Sequence, residues 1–186
     1  GQVLTAGGGQ NPARQAAINA GINISKPAHI VNQVCGSGLR AVISGYQSIK
    51  LGEVKNVISG GQENMSLAPH SIFFRDNKKI LEKNLIDTMI NDGLIDAFNN
   101  YHMGVTAENI AKKFNISRAD QDDFALNSQK KTETAINTNR FNEELIKINQ
   151  HGINFDKDEH PRKEITKSDL EKLKAVFLKD GTVTPG

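Results

Sequence analysis

The sequence has little cysteine, little excess charge and no long apolar run. One cysteine among 186 residues cannot form an internal disulfide, which excludes a secreted scaffold held by disulfides. The net charge of +2 is too small to indicate binding to nucleic acid or to an anionic membrane surface. No apolar stretch approaches the ~18 residues of a membrane-spanning helix, and no signal peptide is visible. An enzyme or binding protein of the cytoplasm, or of an organelle matrix, remains.

Composition changes along the chain, although its overall averages are ordinary. Residues 1–72 contain 11 of the 16 glycines but only seven of the 44 Lys, Arg, Asp and Glu residues. Residues 73–186 carry the other 37 charges. This contrast indicates a tightly packed α/β core with glycine-rich turns, followed by a charged and largely solvent-facing region.

Alternating helix and strand signals in the first part predict a parallel sheet. Asn11 as N-cap predicts a helix over about 12–20, and apolar residues at helical spacing predict a second helix over 39–49. Residues 28–34 and 54–59 have the apolar character of buried strands. Helices and strands in this order favour right-handed crossovers between parallel strands.

Three further helices are predicted in the charged part, over residues 107–114, 117–137 and 168–177. A capping box of Ser168 and Glu171 is expected at the start of the last one. Residues 138–167 are polar and predict only loops with weak strands.

The cysteine lies on a predicted turn between a strand and a helix. A nucleophile on such a sharp turn is exposed, as in the nucleophile elbow of hydrolases. The helix N-terminus offers partial positive charge and free N–H groups, which favour a reactive thiolate. The N–H of Cys35 can face a developing oxyanion, and Gly36 and Gly38 allow a substrate to approach closely. The alternative interpretation is that Cys35 is a small buried hydrophobic residue.

The five histidines are candidate bases for such a nucleophile. His102 precedes Met103 at a predicted helix start, where its ring can face a ligand. His29 is expected to be packed or at a strand edge. The others lie in a loop or in polar segments: His70, His151 and His160. No pair has metal-ligand spacing together with a cysteine or carboxylate pair, so no metal site is predicted.

Five separated segments resemble motifs of the thiolase family, in the order in which that family has them. The segment around Cys35, residues 32–41, resembles the acylated-cysteine motif of thiolases. The other four are residues 9–15, 60–66, 101–109 and 181–184. The resemblance spans the whole chain, loosely over residues 138–165.

The resemblance implies an α/β fold of the thiolase-like layered type, here as an incomplete N-terminal core with a parallel or mixed sheet and helices, plus an inserted α+β loop domain. Residues 1–64 would be the part of the core domain that carries the nucleophile, and residues 65–186 the loop domain. Within the latter, a tetramerisation loop is expected at about 66–90 and a CoA-binding region at about 100–180. The full-length protein would be a homotetramer.

Thiolases condense two acyl-CoA molecules, or cleave a 3-ketoacyl-CoA with CoA, through an acyl-cysteine. By resemblance Cys35 is this nucleophile, with its own N–H as an oxyanion donor. His102 would contact the pantetheine arm, Met103 would help line the acyl pocket, and Arg162 would lie near the CoA nucleotide. A His before Met-Gly is typical of the short-chain branch, whose substrates and products are acetyl-CoA, acetoacetyl-CoA and CoA. The resemblance implies no metal or bound cofactor, no nucleic acid and no membrane.

The family's activating histidine, its second cysteine and the asparagine that orders a water in the oxyanion hole belong to segments that follow the matched part. We therefore expect the isolated chain to be incompetent for turnover and to fold poorly alone. One alternative is a ketoacyl-synthase-type condensing enzyme, although those usually surround the cysteine with Ala or Ser. Another is a non-catalytic remnant, or a relative that binds acyl-CoA or lipid.

Overall fold

The computed structural model describes residues 1–75 and 84–186. Its contacts divide the chain into two units, Gly1–Asn100 and Tyr101–Gly186. The boundary expected between residues 64 and 65 stays a prediction. The loop expected at about 66–90 lies partly outside the described residues.

Two α-helices of the first unit confirm the sequence prediction. Helix α1 spans Pro12–Asn19, and the Asn11 side chain accepts a hydrogen bond from the Arg14 N–H at 3.1 Å. Helix α2 spans Ser37–Lys50. The Asn11 cap placed the start of α1, whereas α2 begins two residues before the predicted 39 and has no side-chain cap. Capping signals of this kind depend on neighbouring residues alone.

The prediction of strands at 28–34 and 54–59 is wrong. Both segments lie within the described residues, and neither forms a strand there. A strand requires a continued ladder of hydrogen bonds to a neighbour, and apolar character alone does not supply one. The start of the chain bonds to the backbone of Val31 in the first segment and to residues 60 and 62, just after the second.

The hydrogen bonds between Gly1 and residues 60 and 62 nevertheless follow the pattern of two parallel strands. The Gly1 nitrogen donates to the Gly60 carbonyl at 2.9 Å, and the Gln62 N–H donates back to the Gly1 carbonyl at 3.0 Å. This is the hydrogen-bond pattern of a parallel bridge. On the other side, the Gln2 N–H donates to the Val31 carbonyl at 3.2 Å. The first two residues thus lie between Val31 and residues 60–62, which directly follow the second predicted strand.

Helix α2 packs on the chain after it through a glycine. A Cβ added at Gly45 would lie 2.7 Å from the Ser59 Oγ and 2.9 Å from a Val57 methyl group. The Ser59 hydroxyl also donates to the Ala41 carbonyl at 3.2 Å. This close approach positions the helix that follows Cys35.

Shorter elements complete the first unit. A 3₁₀ turn spans Met65–Leu67. Strand β1, His70–Ser71, pairs antiparallel with β2, Ile86–Asp87. A π-helical turn follows at Met89–Leu94.

The second unit contains three α-helices and a hairpin. They are α3 at Met103–Phe114, α4 at Arg118–Asn137, β3 at Ile148–Gln150, β4 at Ile153–Phe155 and α5 at Lys167–Glu171. The two strands pair antiparallel. The predicted helices over 107–114 and 117–137 and the weak strands within 138–167 are therefore confirmed.

The prediction for the last helix was wrong at both ends. Its capping box is formed by Thr166 and Asp169, and the helix ends well before residue 177. The Arg118 guanidinium donates to the carbonyls of Leu170 and Leu173, at 2.6 and 3.0 Å. A continued helix would need those carbonyls for its own N–H groups, so this arginine from α4 satisfies the helix end.

Much apolar surface is open. Among the described residues, the buried hydrophobic side chains are Ala111 and Leu170. The accessible surface is 15059 Å², whereas a folded monomer of this mass exposes about 8,800 Å². On α2, Leu39, Val42 and Tyr46 are each at least 50% exposed. An α/β layer that lacks some of its neighbours has this property. None of the described helices is both long and apolar enough to cross a membrane.

Candidate active site

Cys35 lies on the tight turn that enters helix α2. We call residues 32–37 the cysteine elbow. The Cys35 side chain is exposed, and Gly36 is the N-cap of α2 without a side-chain cap. The first N–H groups of this helix, next to Cys35, therefore have no N-cap side chain to which they can donate. The interpretation of Cys35 as a buried hydrophobic residue is wrong for this structure.

Val34, just before the cysteine, has a left-handed backbone conformation with φ of 47°. This conformation is an outlier for a β-branched residue, at a cost on the order of 1–3 kcal/mol. The Asn32 side chain accepts the Val34 N–H at 3.0 Å, and the Gly36 N–H donates to the Gln33 carbonyl at 3.0 Å. These bonds hold the sharp turn that the sequence predicted around Cys35.

Ser37 closes the cysteine elbow from its far side. It is only 4% exposed. Its hydroxyl donates to the Val34 carbonyl at 2.5 Å and accepts the Gln33 N–H at 2.9 Å. One buried side chain thus bridges the peptide groups on both sides of the strained position.

His102 is the N-cap of helix α3 in the second unit. Its Nδ1 accepts the Gly104 N–H at 3.0 Å, so in the neutral ring the proton is on Nε2. The imidazole stacks on the Phe177 ring, with centroids 4.9 Å apart and planes 22° apart. A Cβ at Gly104 would overlap that ring. The site therefore offers an oriented N–H donor at Nε2.

Met103 and Arg162 lie in the same unit as His102. Met103 follows His102 directly and is 44% exposed, as a residue lining an open pocket would be. Arg162 is exposed, and its backbone N–H donates to the Gln129 side chain on α4 at 2.9 Å. Its guanidinium has no hydrogen-bond or ion-pair partner among the residues that the structure describes. Cys35 belongs to the other unit.

Glu108 of α3 holds the segment at 181–184 that resembles a thiolase motif. Its carboxylate is 6% exposed and accepts the N–H groups of Thr182 and Val183, each at 2.8 Å, and the Thr182 hydroxyl at 3.1 Å. Burial raises the pKa of this carboxyl, but the hydrogen bonds from Val183 and Thr182 outweigh it, so the pKa lies below its usual value. A Cβ at Gly181 would overlap the carboxylate.

Three of these residues had no role in the sequence analysis. Ser37 and Glu108 each lay inside a matched segment, but nothing in the pattern showed what their side chains bind. Phe177 appeared as part of a helix. What marks Ser37 and Glu108 in the structure is the burial of their polar side chains. A single sequence does not show burial, so it gave no signal for them.

A metal site is not assembled in the described part of the chain: no group of three or more His, Cys, Asp or Glu side chains there is suited to hold an ion.

Comparison with known proteins connects this geometry to a family. Residues 1–186 match the family described as thiolase, N-terminal domain. The chain is 50% identical over 190 residues to the acetyl-CoA acetyltransferase of Rhizobium meliloti, which covers 100% of this chain and 48% of that protein. It is 51% identical over 192 residues to the acetyl-CoA acetyltransferase of Pseudomonas aeruginosa, covering 100% of this chain and 49% of that protein.

A solved structure gives the same result for the fold. The crystal structure of a thiolase from Ascaris suum in complex with coenzyme A superposes with a TM-score of 0.88 at 34% identity. It covers 99% of this chain and 48% of that one. The chain thus has the layered α/β fold of thiolases as an incomplete N-terminal core. It belongs to the thiolase family, and it spans about half the length of the relatives it matches.

Proposed function

We propose that this chain is the nucleophile-bearing part of an enzyme that condenses two acetyl-CoA molecules to acetoacetyl-CoA and CoA, or catalyses the reverse thiolysis. The observation that carries this proposal is the exposed Cys35 on a strained turn at the start of a helix. The acetyl-CoA acetyltransferases at about 50% identity support the choice of substrate.

In the first step, the Cys35 sulfur attacks the thioester carbonyl carbon of acetyl-CoA. A new C–S bond forms to Cys35, the C–S bond to CoA breaks, and CoA leaves as a thiol that carries the proton given up by the Cys35 thiol. The carbonyl oxygen carries negative charge in between, and the Cys35 N–H donates to it. The product of this step is an acetyl-cysteine.

In the second step, a second acetyl-CoA loses a proton from its α-carbon, and that carbon attacks the acetyl group on Cys35. A C–C bond forms, the bond to the Cys35 sulfur breaks, and acetoacetyl-CoA is released. By the resemblance to thiolases, we assign the base for this proton to the family's second cysteine, which belongs to a segment after the matched part.

His102, Met103 and Arg162 are proposed to hold the CoA portion. The Nε2–H of His102 would donate to an amide carbonyl of the pantetheine arm, because Nδ1 is engaged with Gly104. The exposed Met103 would line the acyl pocket, and the exposed Arg162 guanidinium would pair with a phosphate of the CoA nucleotide. In this proposal CoA thioesters are the substrates, and the reaction uses no metal or resident cofactor. The enzyme would act in the cytoplasm or in an organelle matrix.

The large open apolar surface supports the expectation that this chain needs further protein for turnover. We propose that the full-length enzyme is a homotetramer. Size-exclusion chromatography with light scattering on the full-length protein tests this assembly, and a stable monomer would refute it.

The experiment on function measures intact-protein mass after incubation with acetyl-CoA. The chain is expressed alone and together with the C-terminal half of the Rhizobium meliloti relative, whose N-terminal 48% it matches. We expect this chain to gain one acetyl group in the co-expressed pair and the Cys35→Ser variant to gain none. We expect acetoacetyl-CoA to be formed by the pair but not by this chain expressed without its partner half.

Three results decide between the alternatives. Acetylation that survives in the Cys35→Ser variant would refute the assigned nucleophile. A folded pair that binds acetyl-CoA in calorimetry without becoming acetylated would favour the non-catalytic relative. Turnover by the chain alone would refute the expectation that it is incomplete.

A further inference from the structure

We propose that Ser37 is a positioning residue for the nucleophile, acting by holding Val34 in its left-handed conformation. This inference rests on the proposed role of Cys35. Its own observation is separate, namely a buried hydroxyl that bonds the backbone on both sides of a strained residue.

The strain at Val34 needs support from outside the residue. Its φ of 47° is disfavoured for a β-branched side chain, and it persists only if the surroundings overdetermine it. The bond from the Val34 N–H to Asn32 fixes one side of the residue. Its carbonyl accepts both the Ser37 hydroxyl at 2.5 Å and the Ser37 N–H at 3.1 Å.

Ser37 also fixes the peptide group between Asn32 and Gln33, one residue before the peptide that enters Val34. The Gln33 N–H donates to the Ser37 Oγ at 2.9 Å, so this N–H is removed from any strand ladder and is turned toward the helix start. A single oxygen therefore closes a ring that begins at Gln33, passes through Val34 and Cys35, and returns at Ser37. Since the side chain is 4% exposed, water has little access to replace its bonds.

The consequence concerns the direction of Cys35. Cys35 follows Val34 directly, so the conformation of Val34 sets where the Cys35 N–H and Sγ point. If the ring through Ser37 opens, Val34 relaxes to an ordinary φ, and both groups rotate away from their positions at the start of α2. A misplacement of about 1 Å can reduce the rate of a positioned reaction by about a hundredfold.

The experiment is a double-mutant cycle between Ser37 and Val34. Its readout is the rate at which iodoacetamide alkylates Cys35 in the co-expressed pair described above, followed by intact mass. Glycine adopts a left-handed conformation without strain, so Val34→Gly removes the need for support. We expect Ser37→Ala to slow alkylation by at least about tenfold in the native background and by less than about threefold in the Val34→Gly background.

A matched pair of variants separates the hydroxyl from the shape. Threonine keeps the Oγ, and valine replaces it by a methyl group of the same size. We expect Ser37→Thr to keep an alkylation rate near that of the unmodified protein and Ser37→Val to lose it, with both folded by circular dichroism. Ser48→Ala on the same helix, about three turns on, is the control without effect.

Several outcomes overturn the inference. Equal rates for Ser37→Ala and the unmodified protein would do so, as would an equal loss in both Val34 backgrounds. Equal rates for the Thr and Val variants would also overturn it, even if Ser37→Ala failed to fold. Failure of the proposed function is distinguishable, because it appears as normal alkylation of Cys35 without acetylation by acetyl-CoA.

Discussion

The two units of this chain are held by different interactions. In Gly1–Asn100, the elements approach through small residues and tight turns, as where Gly45 admits Ser59 and Val57 to α2. In Tyr101–Gly186, buried charged side chains bind backbone groups far along the chain, as Glu108 does at Thr182 and Val183. The first unit also has a carboxylate on distant backbone N–H groups, that of Glu63 at Val3 and Leu4, but Glu63 is exposed. The difference is therefore that the second unit buries carboxylates, whereas the first packs closely at small residues.

This difference changes the interpretation of the high charge content after residue 72. The charged region was expected to be largely solvent-facing, and most of its charged residues are exposed. Two of its carboxylates, Glu108 and Asp122, are nevertheless only 6% and 4% exposed. Burial of a charge is costly unless it is paired or hydrogen-bonded, so each buried carboxylate determines the position of the donors around it. A few charges thus organise a unit that has few buried apolar side chains.

The strongest way to break the second unit is to remove Arg118. Its Nε lies 2.9 Å from the Asp122 carboxylate, and its other donors hold the end of α5. Arg118→Met leaves Asp122 buried without a partner, and we expect a loss of about 3–5 kcal/mol in the free energy of unfolding. Urea unfolding of the co-expressed pair measures it, with Arg140→Met, at an exposed position just after the same helix, as control. Equal midpoints for the two variants would show that this ion pair does not hold the unit.

The next effect is expected at Glu108. Glu108→Gln places an NH₂ group against the N–H groups of Thr182 and Val183, and we expect a loss of about 1.5–3 kcal/mol. Its pKa is below the usual 4.5 in the folded protein, so its stabilisation is present above about pH 4.5 and is lost as pH falls through the lower folded value.

The pH dependence distinguishes the two units. Hydrogen exchange as the pH is lowered should show loss of protection around residues 108 and 182 in the original protein. The Glu108→Gln variant should be already unprotected there and change little with pH. Glu144→Gln, at an exposed position, serves as control. If the amide protection at residue 182 were the same in the Glu108→Gln and Glu144→Gln variants as in the original protein, the role assigned to Glu108 would be contradicted.

Local signals in the sequence predicted what local interactions decide. The N-caps Asn11 and Ser117 located α1 and α4, and the turn around Cys35 was expected from its flanking glycines. Elements that depend on a distant partner were not predictable in this way. The strands at 28–34 and 54–59 require neighbours to bond with, and the end of α5 is set by Arg118, 52 residues before Leu170. The functions of Ser37 and Glu108 depend on backbone geometry and on a contact 74 residues away.

A steric change tests the first unit in the corresponding way. Gly45→Ala adds a methyl group that would contact the Ser59 Oγ at 2.7 Å, and overpacking of this kind costs about 1–3 kcal/mol. Gly38→Ala, where an added Cβ meets nothing within 4 Å, is the matched control on the same helix. We expect Gly45→Ala to lower the urea midpoint without changing its pH dependence. A new pH dependence would mean that charge also holds this unit.

The smallest expected effect is at the start of α4, where the charge is exposed. Ser117 accepts the Asp120 N–H at 3.1 Å, and the Asp120 carboxylate accepts the Ser117 hydroxyl at 2.6 Å. Bonds from the Ser117 side chain and backbone lower the pKa of Asp120. Removal of an N-cap costs about 1 kcal/mol, so Ser117→Ala should lower the urea midpoint slightly, whereas Ser128→Ala on the same helix should not.

The carboxyl resonance of Asp120 gives the more specific measurement. In the Ser117→Ala variant its pKa should rise toward the usual 3.8, because the largest cause of its lowering is removed. If the Asp120 pKa stayed low in the Ser117→Ala variant, the cap would not be its main cause, and the nearby positive charge of Lys167 would then have the larger part in lowering it.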